Sequence, residues 1–239
     1  MALKSKIEWT ESTWNPVTGC SKISEGCENC YAYRLSLRLQ KMGNAKYANG
    51  FKVTLHDNCL TDPYSWKKPN LIFVNSMSDL FHAEIPLEYI QKVFAVMNNN
   101  PQHIFQVLTK RAKRLLDVSE HVKWTDNIWM GVTVESERNK SRIEYLKETP
   151  AKIRFISFEP LLDDIGKVNL HNIDWAIVGG ESGWGARPMD EKWIINIKKQ
   201  CDQQDALFYF KQWGGTNKKK AGRTLLGKTW SAMPLSAAC

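Results

Sequence analysis

The sequence contains no apolar run close to the roughly 18–20 residues that a membrane-spanning helix requires. Its first residues, MALKSKIEWTEST, lack the apolar core of a secretory signal peptide. Internal repeats, low-complexity tracts and proline- or serine-rich linkers are also absent. These absences predict one cytoplasmic domain with no membrane partner. They also make disulfides the weakest explanation for the six cysteines, because cytoplasmic thiols stay reduced.

Acidic residues are missing between Lys211 and Trp230, a stretch that contains six lysines or arginines. A second basic cluster, KRAKR, covers residues 110–114, and the net charge of the chain is +8. Segments of this kind either form a solvated basic surface or bind phosphate groups, and composition leaves both interpretations open. The charge therefore permits a nucleic acid or nucleotide partner without requiring one.

Six nearly continuous apolar runs recur at intervals of about 20–35 residues, mostly with a helical pattern between them. An earlier run, residues 12–17, supplies a first strand. Uniformly apolar strands that alternate with helices are typical of parallel sheets. The pattern predicts an α/β fold, a complete or partial (β/α) barrel of about six to seven parallel strands in a single domain. A doubly wound open sheet is the alternative. The six runs are residues 71–79, 103–110, 128–135, 152–160, 174–182 and 207–215.

The barrel is expected to occupy residues 1–215, and residues 216–239 to form a basic C-terminal extension packed on it. In such barrels the ligand site lies at the C-terminal ends of the strands. Polar residues end each of the six runs, and carboxylates stand at the ends of four of them. The sequence therefore predicts a site at this edge of the sheet.

Half of the cysteines lie in one loop, residues 19–32, which reads GCSKISEGCENCYA. Cys20, Cys27 and Cys30 are spaced Cys-x6-Cys-x2-Cys, directly after the first predicted strand. Three thiolates are soft ligands, and soft ligands select zinc or an iron–sulfur cluster over hard cations. The loop is therefore expected to bind a metal centre at the same edge of the sheet.

The nature of that centre depends on the fourth ligand. Structural zinc closes its shell with four protein ligands, and His56 or Cys59 would have to supply the last one. Three cysteines can instead hold a [4Fe–4S] cluster with one iron left open to bind another molecule. Chance clustering and redox-active thiols are the remaining interpretations.

A three-cysteine loop after the first strand of a (β/α) barrel resembles that of the radical S-adenosylmethionine (SAM) enzymes. The chain is also similar to the phage gene-product 37/68-like family, an uncharacterised group of three-cysteine-motif proteins. The commonest cysteine motif of radical SAM enzymes has three residues between its first and second cysteines, whereas this sequence has six. The matching stretches span nearly the whole chain in order and read TWNPVTGCSKISEGCENCYA, FVNSMSDLFH, FQVLTKRAKRL, WMGVTVE, FISFEPLL, VGGESGWGARPM, FYFKQWGG and GRTLLGKTWSAMP.

The resemblance implies that Cys20, Cys27 and Cys30 hold a [4Fe–4S] cluster, that SAM binds its open iron, and that an electron donor reduces it. Many radical SAM enzymes bind the SAM amino group with a Gly-Gly-Glu after the second strand. Here GGE lies at residues 179–181, four strands later. The expected SAM ligands are therefore assigned by position: Ser76, Ser78 or Asp79 for the ammonium, Thr133 and Glu135 for the ribose, and Tyr31 or Trp14 for the adenine.

The substrate is expected to enter over the late strands, near Glu159, Glu181, Arg187, Lys211 and Gln212. The predicted function is a radical SAM-type enzyme that cleaves SAM and acts on a nucleic acid or nucleotide, in base modification or repair. Two alternatives remain. One is a nucleic-acid-binding protein with a structural zinc or iron–sulfur loop, and the other is a SAM-dependent aminocarboxypropyl-type transferase. No residue is assigned a catalytic role.

Overall fold

A parallel sheet forms the centre of the molecule. The computed structural model describes residue 5 and residues 7–234, and within that part of the chain nine strands are present. Seven of them pair in parallel in the order β1-β4-β5-β6-β7-β8-β9, and β2 and β3 form a separate antiparallel ribbon. The strands are β1 (Ser12–Trp14), β2 (Val17–Thr18), β3 (Thr54–Leu55), β4 (Leu71–Val74), β5 (Ile104–Thr109), β6 (Ile128–Thr133), β7 (Ile153–Phe158), β8 (Trp175–Gly179) and β9 (Leu207–Gln212).

The strand order determines the architecture. Because neighbours in the sheet follow one another along the chain without a reversal, the sheet is singly wound and curls into a half-barrel. Every residue of β6 and β8 is buried, as expected of parallel strands covered on both faces. The prediction of a single α/β domain with a partial barrel is confirmed, and the doubly wound alternative is wrong.

Six α-helices accompany the sheet within the described residues. Four of them occupy segments between successive parallel strands, where the sequence predicts helices. The helix after the cysteine loop was not predicted, nor was the short last one. The helices are α1 (Tyr31–Lys41), α2 (Leu87–Asn98), α3 (Ala112–Ser119), α4 (Ser141–Lys147), α5 (Glu191–Gln203) and α6 (Lys218–Ala221). None of these helices is both long and apolar enough to cross a membrane.

Aromatic side chains from the beginnings of the strands form a second buried cluster, separate from the main core. Trp175 lies at its centre, with ring centroids 6.2 Å from those of Trp9 and Trp129 and 5.8 Å from that of Tyr209. Trp9 comes from the segment before β1, so the N-terminal segment packs against the sheet here. This packing buries aromatic side chains that lie near the amino ends of the strands.

The first strand is shorter than the sequence predicts. A strand over residues 12–17 was expected, but β1 ends at Trp14 and the chain enters the separate ribbon at Val17. Pro16 lies between them; it has no N–H to continue a ladder, and its carbonyl instead accepts from His56 N at 2.8 Å. The ribbon redirects the chain so that the cysteine loop lies over the edge of the sheet.

The segment after β9 returns to contact that strand. Phe210 N donates to the carbonyl of Trp230 at 3.0 Å, and the ammonium groups of Lys198 and Lys228 each lie 4.1 Å from the centroid of the Trp230 ring. The described part of the predicted C-terminal extension therefore contacts the barrel. Residues 1–4, residue 6 and residues 235–239, which belong to the two predicted segments, lie outside the described residues.

Candidate functional site

The cysteine loop starts at the carboxyl edge of the sheet. Gly19 forms a parallel bridge with Ser78, and its N–H donates to the carbonyl of Met77 at 3.1 Å. Its φ is +83°, and a Cβ there would lie 2.1 Å from the carbonyl oxygen of Lys52, so only glycine fits. Cys20, like the other two cysteines of the loop, is partly exposed. The loop therefore begins at the carboxyl edge of the sheet, after β1 and the short strand β2.

Arg111 is the cation closest to the first cysteine of the loop. Its Nη1 lies 3.5 Å from Cys20 Sγ and 3.0 Å from Asp79 Oδ2. Burial, and to a lesser degree the charge of Asp79, raise the pKa of Cys20 to about 11, although Arg111 opposes the shift; the charge of Cys27 adds to it. Cys20 is therefore a neutral thiol in this arrangement, and binding a metal through its sulfur releases a proton.

Asp79 holds this corner of the site together. Its Oδ1 accepts from Thr109 Oγ1 at 2.7 Å and from Phe81 N at 3.0 Å. Its Oδ2 accepts from Lys110 N at 3.1 Å as well as from Arg111. Two donors on each oxygen fill the carboxylate, so Asp79 positions Arg111 and has no capacity left for the SAM ammonium predicted for it.

Ser21 connects the loop to His82. Glu84 N donates to His82 Nδ1 at 3.2 Å, so a neutral His82 carries its proton on Nε2 and donates it to Ser21 Oγ at 2.7 Å. Burial, followed by the charge of Arg111, lowers the pKa of His82 and keeps the ring neutral. Arg111 also donates to Ser21 Oγ, at 3.1 Å. The start of the cysteine loop is therefore held in place by His82 and Arg111.

Glu135, which follows β6, anchors the middle of the loop. Its Oε1 accepts from Ser24 Oγ at 2.6 Å and lies 3.6 Å from Lys110 Nζ, and its Oε2 accepts from Arg142 at 2.6 Å. The side chain has no exposed surface. A Cβ on Gly26 would lie 2.5 Å from the carboxylate, so the loop backbone packs directly on it. The predicted contact between Glu135 and the SAM ribose is therefore wrong, because this carboxylate is enclosed by protein.

Arg187 and Glu181 anchor the end of the loop to β8. Arg187 donates from Nε to Glu181 Oε2 at 2.9 Å and from Nη2 to Oε1 at 2.6 Å. It also reaches Glu28 Oε2 at 3.0 Å and the carbonyl of Glu25 at 2.9 Å. Asn29 adds a donor to Glu181 at 2.9 Å. Burial opposes ionisation, but these donors outweigh it, and the pKa of Glu181 is lowered.

Glu159 and Lys211, after β7 and in β9, form an open pair. Lys211 Nζ lies 3.0 Å from Glu159 Oε1, and Ser157 Oγ donates to Oε2 at 3.1 Å. Both side chains retain exposed surface, 13% for Glu159 and 17% for Lys211. Four of the five residues predicted to contact substrate therefore form two ion pairs, Glu181 with Arg187 and Glu159 with Lys211.

The remaining predicted ligands divide by exposure. Ser76 and Ser78 are partly exposed, and each donates its hydroxyl proton to the protein, to Asn15 Oδ1 at 3.1 Å and to the Val17 carbonyl at 2.9 Å. Their lone pairs remain able to accept from a bound ammonium. Thr133 is 1% exposed, so it lies beneath the edge and out of reach of the predicted ribose.

The aromatic and amide predictions also divide. The Tyr31 ring is 53% exposed, and its hydroxyl donates to the carbonyl of Ser76. Trp14 is 1% exposed and donates to the carbonyl of Cys59 at 2.7 Å, so it cannot pack an adenine. Gln212 is 6% exposed and donates to Ser182 Oγ at 2.5 Å, while its Oε1 has no partner within the described residues.

Among the described residues no three His, Cys, Asp or Glu side chains form a group that could hold a single metal ion. The alternative zinc ligands have other partners: His56 Nε2 lies 2.8 Å from Thr18 Oγ1, and Cys59 Sγ accepts from Lys46 Nζ at 3.1 Å. A cavity of about 720 Å³ borders Cys20 and extends between α1 and residues 49–53. Its volume is within the range of small-molecule sites.

Sequence reasoning missed the residues that fix the loop. Ser24, Glu25, Glu28 and Asn29 lie between the cysteines, where their polarity was the only signal. Arg111 belongs to the basic cluster of residues 110–114, for which a solvated surface and phosphate binding were both open, and its guanidinium turns toward Cys20. Arg187 lies six positions after Glu181, so that pairing was within reach of sequence reasoning, whereas the pairing of Arg111 with Asp79 was not.

A family model described as "Protein of unknown function (DUF5131)" matches residues 4–234. Neither the curated proteins nor the solved structures include a match to the chain.

Proposed function

The chain belongs to the DUF5131 family, and we propose that it is a radical SAM-type enzyme whose substrate is a nucleic acid or nucleotide. The observation that carries the proposal is the cysteine loop itself. Three thiols, Cys20, Cys27 and Cys30, lie on one loop at the carboxyl edge of a parallel half-barrel and remain partly exposed there. This is the edge at which barrel enzymes bind their ligands. The likeness to phage gene-product 37/68-like proteins stays a prediction.

The donor set fits a [4Fe–4S] cluster. Three soft thiolates would hold three irons and leave the fourth for another ligand. Arg111, 3.5 Å from Cys20 Sγ, partly balances the negative charge of such a thiolate set. When bound and reduced, the cluster supplies the electron that cleaves the carbon–sulfur bond of SAM.

The chain's own residues would bind and orient the cofactor and the substrate. Ser76 and Ser78 are placed to accept from the SAM ammonium, because their lone pairs are free. The half-exposed ring of Tyr31 offers an apolar surface for adenine. Glu159 and Lys211 face the open edge, where an ion pair can exchange one partner for a polar group of the substrate.

The test is anaerobic reconstitution of the full chain with iron and sulfide, followed by addition of dithionite and SAM. We expect about four irons per chain, a brown protein and formation of 5′-deoxyadenosine. Cys27→Ala should abolish cluster retention and the product. The matched control is Cys59→Ala, which removes a partly buried cysteine outside the loop and should leave both unchanged. A colourless protein with one tight zinc that Cys59→Ala releases would overturn the proposal.

A second candidate is a nucleic-acid-binding protein in which the metal loop is structural. The observation in its favour is that Asp79, Glu135 and Glu181 all serve to position protein groups, so none of these three carboxylates is open to a cofactor. A brown protein that leaves SAM intact in the presence of nucleic acid would support it. Release of 5′-methylthioadenosine in the same assay would instead identify an aminocarboxypropyl-type transferase.

A further inference from the structure

Trp184 exposes a large apolar surface beside the cysteine loop. Trp184 is 82% exposed, whereas most of the other tryptophans are buried. Gly183 and Gly185 flank it with φ of +106° and +76°. Ordinary residues rarely adopt these values, so the two glycines present the indole at the tip of a tight turn.

The backbone under this ring is fixed. Arg34 Nη1 donates to the carbonyl of Trp184 at 2.8 Å, and Asn29 Nδ2 donates to the carbonyl of Gly185 at 3.1 Å. Gly183 N donates to the carbonyl of Gly215 at 3.0 Å. An exposed ring on a fixed backbone loses little conformational entropy when a planar group stacks on it. Asn29 lies between Cys27 and Cys30, so the Trp184 ring lies close to the cysteine loop.

A cationic stripe begins at the same arginine. Arg34, Arg38 and Lys41 are spaced four and three residues apart on α1, which places them on one face of the helix. The stripe is about 10 Å long at the rise of an α-helix. All three residues are exposed, and α1 contains no acidic residue. Tyr31, three residues before Arg34, continues the stripe to the edge of the sheet.

We propose that Trp184 and the α1 stripe bind single-stranded nucleic acid, with the indole stacked on a base and the cations on the phosphates. This inference rests on the proposed function, because it specifies which form of nucleic acid the enzyme would bind as substrate. An extruded or unpaired base is what an enzyme needs when its reacting atom would otherwise be shielded inside a duplex. Aromatic stacking combined with a basic track is how proteins bind single strands without base-pair readout.

Charge favours a polyanion over a protein as the occupant. The chain carries a net charge of +8, and the helix that borders the indole has three cations and no acid. An exposed planar ring next to a helix that carries arginines matches a base joined to a phosphate more closely than it matches an apolar protein surface. Binding should therefore weaken as the salt concentration rises, because releasing counterions from the phosphates is then less favourable.

Fluorescence anisotropy of the full chain with a labelled oligothymidylate of about 16 nucleotides tests the inference. We expect Trp184→Ala to weaken binding roughly 5- to 100-fold without changing the salt dependence, and Trp184→Phe to retain part of the affinity. The logarithm of the binding constant falls with the logarithm of the salt concentration. Replacing Arg38 and Lys41 by glutamine should make this negative slope shallower by about 1.4. Circular dichroism confirms that each variant is folded.

Two matched controls remove similar groups elsewhere. Tyr64→Ala deletes another exposed ring, 51% exposed, and Lys152→Gln deletes an exposed cation before β7, at the opposite edge of the sheet. Neither should change binding. Wild-type affinity in Trp184→Ala, or equal affinity for a duplex of the same length, would overturn the inference. SAM cleavage by the wild-type protein without nucleic acid is scored separately, so failure of the enzyme proposal and failure of this inference give different results.

Discussion

Two carboxylate pairs at neighbouring strand ends show how the same ionic chemistry serves different purposes. Glu181 receives three hydrogen bonds from Arg187 and one from Asn29, and Arg187 continues to the backbone and side chains of the cysteine loop. Glu159 has one donor on each oxygen and meets Lys211 at the open edge. The closed pair holds a loop in place, whereas the open pair has capacity to bind. Occupancy of the hydrogen-bonding groups, and not residue type, separates scaffold from site.

The largest effect is expected at Glu135, the most enclosed of these carboxylates. Glu135→Gln should lower the free energy of unfolding by about 3 kcal/mol, because it leaves Arg142 without its buried counter-charge and removes an acceptor from Ser24. Urea unfolding followed by tryptophan fluorescence measures it. The same substitution at Glu159 is the control. Equal losses at the two positions would contradict the distinction between closed and open carboxylates.

Glu181→Gln should have the next largest effect, about 2 kcal/mol in urea unfolding. The expected loss is smaller than at Glu135 because the side chain of Arg187 is 30% exposed and water compensates part of the lost charge. The variant should also release iron faster from the reconstituted protein, since Arg187 then holds the loop less firmly. An unchanged rate of iron release would show that the pair of Arg187 and Glu181 does not support the cysteine loop.

The pH dependence of stability gives a sharper test of the same anchor. Because the pKa of Glu181 is lowered in the folded protein from its usual 4.5, its contribution is fully present above pH 4.5 and is lost as the pH falls through the lowered folded value. The difference in urea midpoint between wild type and Glu181→Gln should therefore be constant near neutral pH and close in acid. A gap that persists at the lowest pH where the protein folds would argue against ionisation as its source.

The smallest effect on stability is expected at the open pair. Lys211→Met and Glu159→Gln should each lower the free energy of unfolding by about 1 kcal/mol, because Glu159 has a single partner on each oxygen and loses fewer hydrogen bonds than Glu181 does. Substrate-dependent consumption of SAM should fall at least tenfold in the same variants, since a polar contact to the substrate is lost. Loss of stability together with unchanged turnover would move this pair to the scaffold.

The sheet could be predicted because strand identity is local information. All six apolar runs contain the expected strands, and Pro86 and Asp190 precede helices that begin within one residue of them. The polarity of the strand ends correctly located an edge rich in charge. β1 ends at Trp14 and not at residue 17, and Pro16 is the sequence signal for this early end, because it has no N–H to donate to the ladder.

The roles of the charged residues could not be predicted because they depend on long-range pairing. Asp79, Glu135 and Glu181 are the right residue types for binding a cofactor, and each accepts at least one hydrogen bond from a residue 30 or more positions away in the chain: Thr109, Ser24 and Asn29, respectively. Similarly, α1 follows a cysteine loop with no helix-start signal, since Cys30 at its N-cap makes no side-chain hydrogen bond. Composition reports which groups are present, and only the fold reports which of them are already satisfied.

The anchors of the cysteine loop also impose an order on its assembly. Ser24 bonds a residue 111 positions later, Asn29 one 152 positions later, and Arg187 closes on a carbonyl 162 positions earlier. At the usual pace of synthesis the loop leaves the ribosome roughly ten to thirty seconds before its last anchor does. The loop is therefore made early, but its last contacts form only after Arg187, beyond β8, has emerged, so a metal centre of the proposed kind is expected to be loaded after the sheet is complete.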